Sequence, residues 1–181
     1  MKITHILLAT FILFITSCKK DDDETQNPLD ALPPATQIGA QTFGCLVNGE
    51  IFLPKKFGQN SLNAFYQNMN GLYTLSISSE SGEINTESQF IVIGGISVPA
   101  VEEQTYNLTS DKIGNFTGLF TDNGLNDSAQ PTSDLKPGKL IITNHDTENF
   151  IISGNFEFTI LDKNNKEIKV TNGRFDVKYT N

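Results

Sequence analysis

The chain has 181 residues, 13 basic against 21 acidic side chains, and a formal charge of −8. A surface of that sign repels nucleic acid and anionic lipid headgroups, which excludes a nucleic-acid role. The length fits one domain with a tail, and only two cysteines, Cys18 and Cys45, are available for covalent chemistry.

The N-terminus reads as an export signal. Lys2 supplies positive charge, Ile6 to Thr16 is apolar, and Ser17 is the small residue before Cys18. The apolar run is 11 residues, whereas a spanning helix needs about 20. Together these residues resemble a bacterial lipoprotein signal, with residues 1–17 removed and Cys18 becoming the acylated first residue. That resemblance implies a thioether-linked diacylglycerol and a further palmitate-type chain. Each buried methylene contributes about 0.8 kcal/mol, so two or three chains anchor stably where one does not. Lys19, Lys20, Asp21, Asp22, Asp23 and Glu24 follow. This run resembles the export signal that sends Bacteroidota-type lipoproteins to the outer face of the outer membrane. The alternative is an outer-membrane lipoprotein facing the periplasm.

Residues 18–41 read as the lipidated cysteine and a flexible, disordered linker, with an acidic run, Pro28, Pro33 and Pro34, and little hydrophobic periodicity. Whether Leu29, Leu32 and Ile38 dock back onto the domain stays open. Residues 42–181 read as a single β domain without a helix. Phe43 to Leu53 forms a hairpin around Asn48-Gly49, a pair suited to the two positive-φ positions of a type I′ turn. Val47 then faces Glu50, Cys45 faces Phe52, and both faces are apolar, so both must be covered. Cys45 reads as a buried small apolar residue, since no His or Lys flanks it. With Cys18 acylated, no intramolecular disulfide remains.

Further strands are expected over 72–78, 89–98, 105–109 and 115–121. Gly94-Gly95 marks a bulge or a close backbone approach. The polar stretch 122–139 reads as a long exposed loop. Residues 140–143, 150–161 and 166–179 make a three-stranded antiparallel meander. In its last strand the apolar set shifts from even to odd positions at Asn172-Gly173, which predicts a β-bulge with Gly173 at positive φ. Eight to ten short strands indicate an antiparallel β-sandwich, with a barrel as the alternative.

Candidate chemistry is sparse. His145 is the only histidine left after signal removal and reads as an exposed turn residue. Glu80, Glu83 and Glu87, and the pair Glu102-Glu103, are the carboxylates available for acid–base work. Calcium is the best metal candidate, through Asp122, Asn123, Asn126 and Asp127 or through Asp162, Asn164 and Glu167, although neither set has EF-hand spacing and both suit turns. There is no Trp. Of the four tyrosines Tyr73 and Tyr179 read as core, which leaves Tyr66 as the ligand-binding candidate. Asp127-Ser128-Ala129 resembles a short O-glycosylation acceptor of Bacteroidota-type bacteria, with Ser128 the modified residue.

Two stretches resemble a family. Leu32 to Thr36 leading into Thr42 to Gly49, and Ser153 to Phe158 followed by Asn172 to Val177, are similar to the start and the last two strands of a domain-of-unknown-function family of small Bacteroidota-type outer-membrane lipoproteins. The resemblance implies location and a β fold and carries no reaction, ligand or catalytic residue. The expectation is a lipid-anchored, outward-facing, non-enzymatic binding or structural module. Its partner is the membrane through the lipid, plus a glycan, peptide or envelope protein. A small hydrolase using loop carboxylates and a calcium-stabilised adhesin-like domain are the alternatives.

Overall fold

A computed structural model describes residues 27–55, 61–82, 88–122, 127–128 and 131–181. The signal and the export run, Cys18 included, lie outside the described residues, as do Glu83, Glu87, Asn123 and Asn126. A short 3₁₀ turn, Pro28–Ala31, precedes eleven strands: β1 (Thr42–Val47), β2 (Glu50–Phe52), β3 (Leu62–Met69), β4 (Leu72–Ser81), β5 (Gln89–Ile96), β6 (Thr105–Leu108), β7 (Phe116–Asp122), β8 (Asp127–Ser128), β9 (Gly138–Asp146), β10 (Ile151–Leu161) and β11 (Glu167–Lys178). The all-β class expected from the sequence holds.

The strands form one sheet in the order β2-β1-β11-β10-β9-β6-β7-β5-β4-β3, with β8 on the edge of β7. Every described strand-to-strand pairing is antiparallel except the short parallel contact of β6 with β7, and the isolated bridge between Phe65 and Thr180 is also parallel. The sheet curls into a half-barrel. Its far edge, β3, returns to the residues just past β11, because Tyr66 N donates to Thr180 O at 2.9 Å and Thr180 N to Ala64 O at 3.1 Å. The two apolar layers of a sandwich are therefore two halves of a single curled sheet.

Alternation fills the interior. Leu75 and Ile77 of β4, Ile91 and Ile93 of β5, Phe116 and Phe120 of β7, Leu140 and Ile142 of β9, and Phe158 and Ile160 of β10 belong to one buried cluster. Each such side chain contributes about 1.5–3 kcal/mol by leaving water. Cys45 joins this cluster fully buried, and burial pushes its thiol pKa well above the ordinary range. Gly94 and Gly95 are close approaches, not a bulge. The β4–β5 register is unbroken, and a Cβ on Gly94 would sit 2.7 Å from Leu75 O.

The turns carry the local chemistry. Asn48 (φ 53°) and Gly49 (φ 90°) make the expected hairpin, with Val47 opposite Glu50 and Cys45 opposite Phe52. Asn70 (φ 54°) and Gly71 (φ 85°) repeat the device between β3 and β4. The expected bulge in β11 is present, because Phe156 pairs with Gly173 but Phe158 pairs with Val170. The positive φ falls on Asn172 (54°), not on Gly173. Asparagine tolerates the left-handed region, and Gly173 is needed for a different reason: a Cβ there would lie 2.5 Å from the Phe156 ring.

Two expectations about loops are corrected. The flexible linker was expected to run to residue 41, yet residues 28–41 are fastened to the domain as a strap. Leu32 is buried, Arg174 Nη1 donates to Pro33 O, Gln37 Nε2 to Thr143 O, and Lys178 N to Gln41 Oε1. Pro33 and Leu53 close over Gly44, whose Cβ would meet the proline at 2.7 Å. The strap thus covers part of the outer apolar face of the first hairpin. The stretch 122–139 is not simply exposed either. Thr132 is buried, donates to Thr109 O at 2.7 Å and accepts from Gly118 N at 3.0 Å. β8 and the first residues of β9 also fall within it.

Candidate aromatic cleft

The open end of the half-barrel gathers rings from separate strands. Tyr66 of β3 stacks on Tyr73 of β4 with centroids 5.6 Å apart and planes 22° apart. It meets His145 of β9 edge-on at 4.7 Å and Tyr179 at 5.7 Å. Edge-to-face and offset stacks at these separations are favourable beyond the area they bury.

His145 is not the exposed turn residue expected. It lies near the end of β9, is part-buried, and faces the Ala100 carbonyl through Nδ1 at 2.8 Å and Tyr179 Oη through Nε2 at 3.3 Å. A carbonyl only accepts, so Nδ1 carries a hydrogen toward Ala100 O, and Nε2 is left facing the tyrosine hydroxyl. β9 continues past residue 143 because Asn144 and His145 still pair with Ser153 and Ile152. The segment that brings Ala100 into place is pinned by Tyr106, whose hydroxyl accepts from Val101 N at 2.8 Å and donates to Pro99 O at 2.9 Å.

Tyr66 is only 8% exposed; it belongs to the cluster and is no free-standing platform. Burial, opposed by a hydrogen bond with the Ala100 backbone, pushes its pKa up to about 12. Burial also raises Tyr179, helped by the Asp146 carboxylate. Both phenols therefore stay neutral across the physiological range.

The exposed aromatic of the cleft is Phe150. It is 42% exposed and stands at φ 58°, a conformation costing a bulky side chain about 1–2 kcal/mol. Asp146 makes the turn that holds it, accepting from Glu148 N and Asn149 N at 2.9 Å and from Asn149 Nδ2 at 2.7 Å. Those bonds, led by the Asn149 side chain, lower the Asp146 pKa. Phe150 O accepts from Tyr179 N at 2.8 Å, and its ring meets Tyr179 edge-on at 5.8 Å. Tyr66, Tyr73, Phe150, Tyr179, Met69 and Thr147 then line an open cleft of about 590 Å³. Sequence reasoning missed Phe150 because strain at one residue has no sequence signature when that residue is not glycine.

The other candidates do not line this cleft. Glu80 is paired with Lys55, and that bond lowers its pKa first, with further help from Ser88. Glu102 and Glu103 are exposed in a turn. Asp162 Oδ1 accepts from Asn164 N and Lys166 N, both at 2.8 Å, and so closes its own turn. Glu167 pairs with Lys136. Asp127 and Ser128 pair through the backbone with Asp122 and Thr121. Among the described residues no group of three or more His, Cys, Asp or Glu side chains is placed to hold a metal ion.

One carboxylate has a different standing. Asp176 on the outer face of β11 is 1% exposed. Its oxygens accept from Thr36 Oγ1 (2.6 Å), Ile38 N (3.0 Å), Gly39 N (2.8 Å), Ala40 N (3.1 Å) and Ser153 Oγ (2.8 Å). Burial alone would raise its pKa, but these donors outweigh it and hold the carboxyl at about 2. It is the clamp that docks the strap.

Compared with family models, with curated proteins and with solved structures, the chain has no match.

Proposed function

We propose that this chain is a small envelope lipoprotein of the Bacteroidota type, held to the outer membrane by acyl chains on Cys18 and facing outward. Its β domain acts as a non-enzymatic binding module. The lipoprotein reading rests on the Lys2 to Glu24 signal pattern. The binding reading rests on one observation: a solvent-open aromatic cleft presents Phe150 at a strained φ of 58°. Strain kept at an exposed aromatic points toward recognition rather than packing. The ligand class is a glycan or an extended peptide that lays an apolar face on Phe150 and the tyrosine edges. The loop-carboxylate hydrolase ranks below this reading, because no described cavity is lined by two acids. The calcium-stabilised adhesin lacks a described ligand cluster.

The test is a glycan array and a peptide array probed with the full chain in detergent micelles. Signals abolished by Phe150→Ala, with the melting temperature retained, support the reading. Signals indifferent to Phe150→Ala, or hydrolysis of an arrayed glycan, overturn it. Intact-mass analysis of native protein checks the anchor: the expected species begins at an acylated Cys18, and a non-acylated terminus refutes it.

A further inference from the structure

A second groove lies on the outer face of β9, β10 and β11 and shares no lining residue with the aromatic cleft. Cross-strand register places Arg174 beside Asn155, Asn155 beside Ile141, and Glu157 beside Lys139. Arg174 and Lys139 sit two strands apart and two residues out of line, about 12 Å at the backbone, and both line a cavity of about 290 Å³. A neighbouring cavity of about 430 Å³ also includes Lys139 and Glu157, so the two adjoin there.

Arg174 is positioned, not free. Nη1 donates to Pro33 O at 3.2 Å and Nε to Asn172 O at 3.4 Å. Those bonds to carbonyls leave its charge without a carboxylate partner among the described residues, and N–H groups to spare. The Lys139 ammonium has no hydrogen-bond or ion-pair partner among the described residues. Two such cations against the single carboxylate of Glu157 leave this groove of an acidic chain with a net positive charge, a local anion site. The guanidinium fork matches a carboxylate in two parallel bonds. Asn155 offers an amide, Glu157 an acceptor for hydroxyls, and Ile141 an apolar floor. A dianionic phosphate would meet repulsion from Glu157, whereas a monoanion flanked by hydroxyls satisfies every group.

We infer that this groove binds an acidic saccharide, with its carboxylate on Arg174 and its ring hydroxyls between Lys139, Asn155 and Glu157. The proposal is independent of the aromatic cleft. The experiment titrates the isotopically labelled full chain in detergent micelles with a disaccharide ending in glucuronate, with its neutral glucose counterpart, and with inorganic phosphate. Expected is saturable movement of the Asn155 side-chain amide signals with the glucuronate disaccharide and at least about tenfold weaker binding of the neutral one. Lys139→Gln changes an exposed, unpartnered side chain and should weaken binding by about tenfold at unchanged melting temperature. Arg174→Lys keeps the charge but loses the fork, and should weaken it as much or more. Absence of saturation, binding indifferent to both variants, or phosphate binding as tight as glucuronate each overturns the proposal.

Discussion

Asp176 carries more hydrogen bonds than any other described side chain, and its behaviour with pH follows from them. Its folded pKa is about 2 against an ordinary 3.8. A depressed carboxylate pKa contributes stability that is fully present above the ordinary value and is lost as pH falls through the folded one. The difference corresponds to about 2 kcal/mol. Urea denaturation at several pH values should therefore show Asp176→Asn losing less stability than the parent chain between about pH 4 and pH 2. Equal slopes in that window would remove the clamp from the account. Gly173 gives a second residue-scale prediction. Its φ is not positive, so the cost of Gly173→Ala comes from the Phe156 ring 2.5 Å from the new methyl. Overpacking of this kind costs about 1–3 kcal/mol, read as a lower denaturation midpoint at unchanged slope.

The strap is the element whose role changed most between sequence and structure. Prolines and low periodicity in residues 28–41 are the ordinary marks of a linker, and nothing local separates a docked strap from a free one. What docks it is a carboxylate more than a hundred residues away, supplied with four donors by Thr36, Ile38, Gly39 and Ala40. A chain cut to start at Thr42 leaves that buried charge with Ser153 as its one described donor. It should be less stable than a chain starting at Asn27 by about 3 kcal/mol, and Asp176→Asn should cost much less in the shorter chain than in the longer one. Additive losses in a double-mutant cycle would show that strap and carboxylate act separately. β3 was missed for a related reason. Five of its eight residues are exposed, and Phe65 and Met69 are among them, so apolar and polar residues do not alternate cleanly, and the Asn70-Gly71 turn that pairs it to β4 was the signal to use.

At the scale of the whole molecule, β3 is joined back to the sheet through the backbone of Thr180. Removing Thr180 and Asn181 breaks two backbone hydrogen bonds to β3 and bares its edge. The expected loss is about 1–3 kcal/mol, accompanied by self-association of a kind unpaired edges favour. Denaturation and size-exclusion chromatography measure the two effects, and a monomer of unchanged stability would refute the closure. The same closure builds the aromatic cleft, because Tyr66 of β3, His145 of β9 and Tyr179 just past β11 meet only when the sheet curls. The outer groove likewise depends on the lateral register of β9, β10 and β11.

The amino-acid sequence by itself determined the β class, the Asn48-Gly49 hairpin with its register, the C-terminal meander, the bulge near Gly173 and the burial of Cys45. These follow from alternation, turn chemistry and single-residue preferences, all of which act over a few residues. Only the tertiary structure decided that one sheet curls on itself, that the strap is clamped by Asp176, that His145 and Tyr66 join a cluster, and that Phe150 and Arg174 face open grooves. Those outcomes depend on which strands become neighbours across a curled sheet, and that choice is made by packing between residues far apart in the chain.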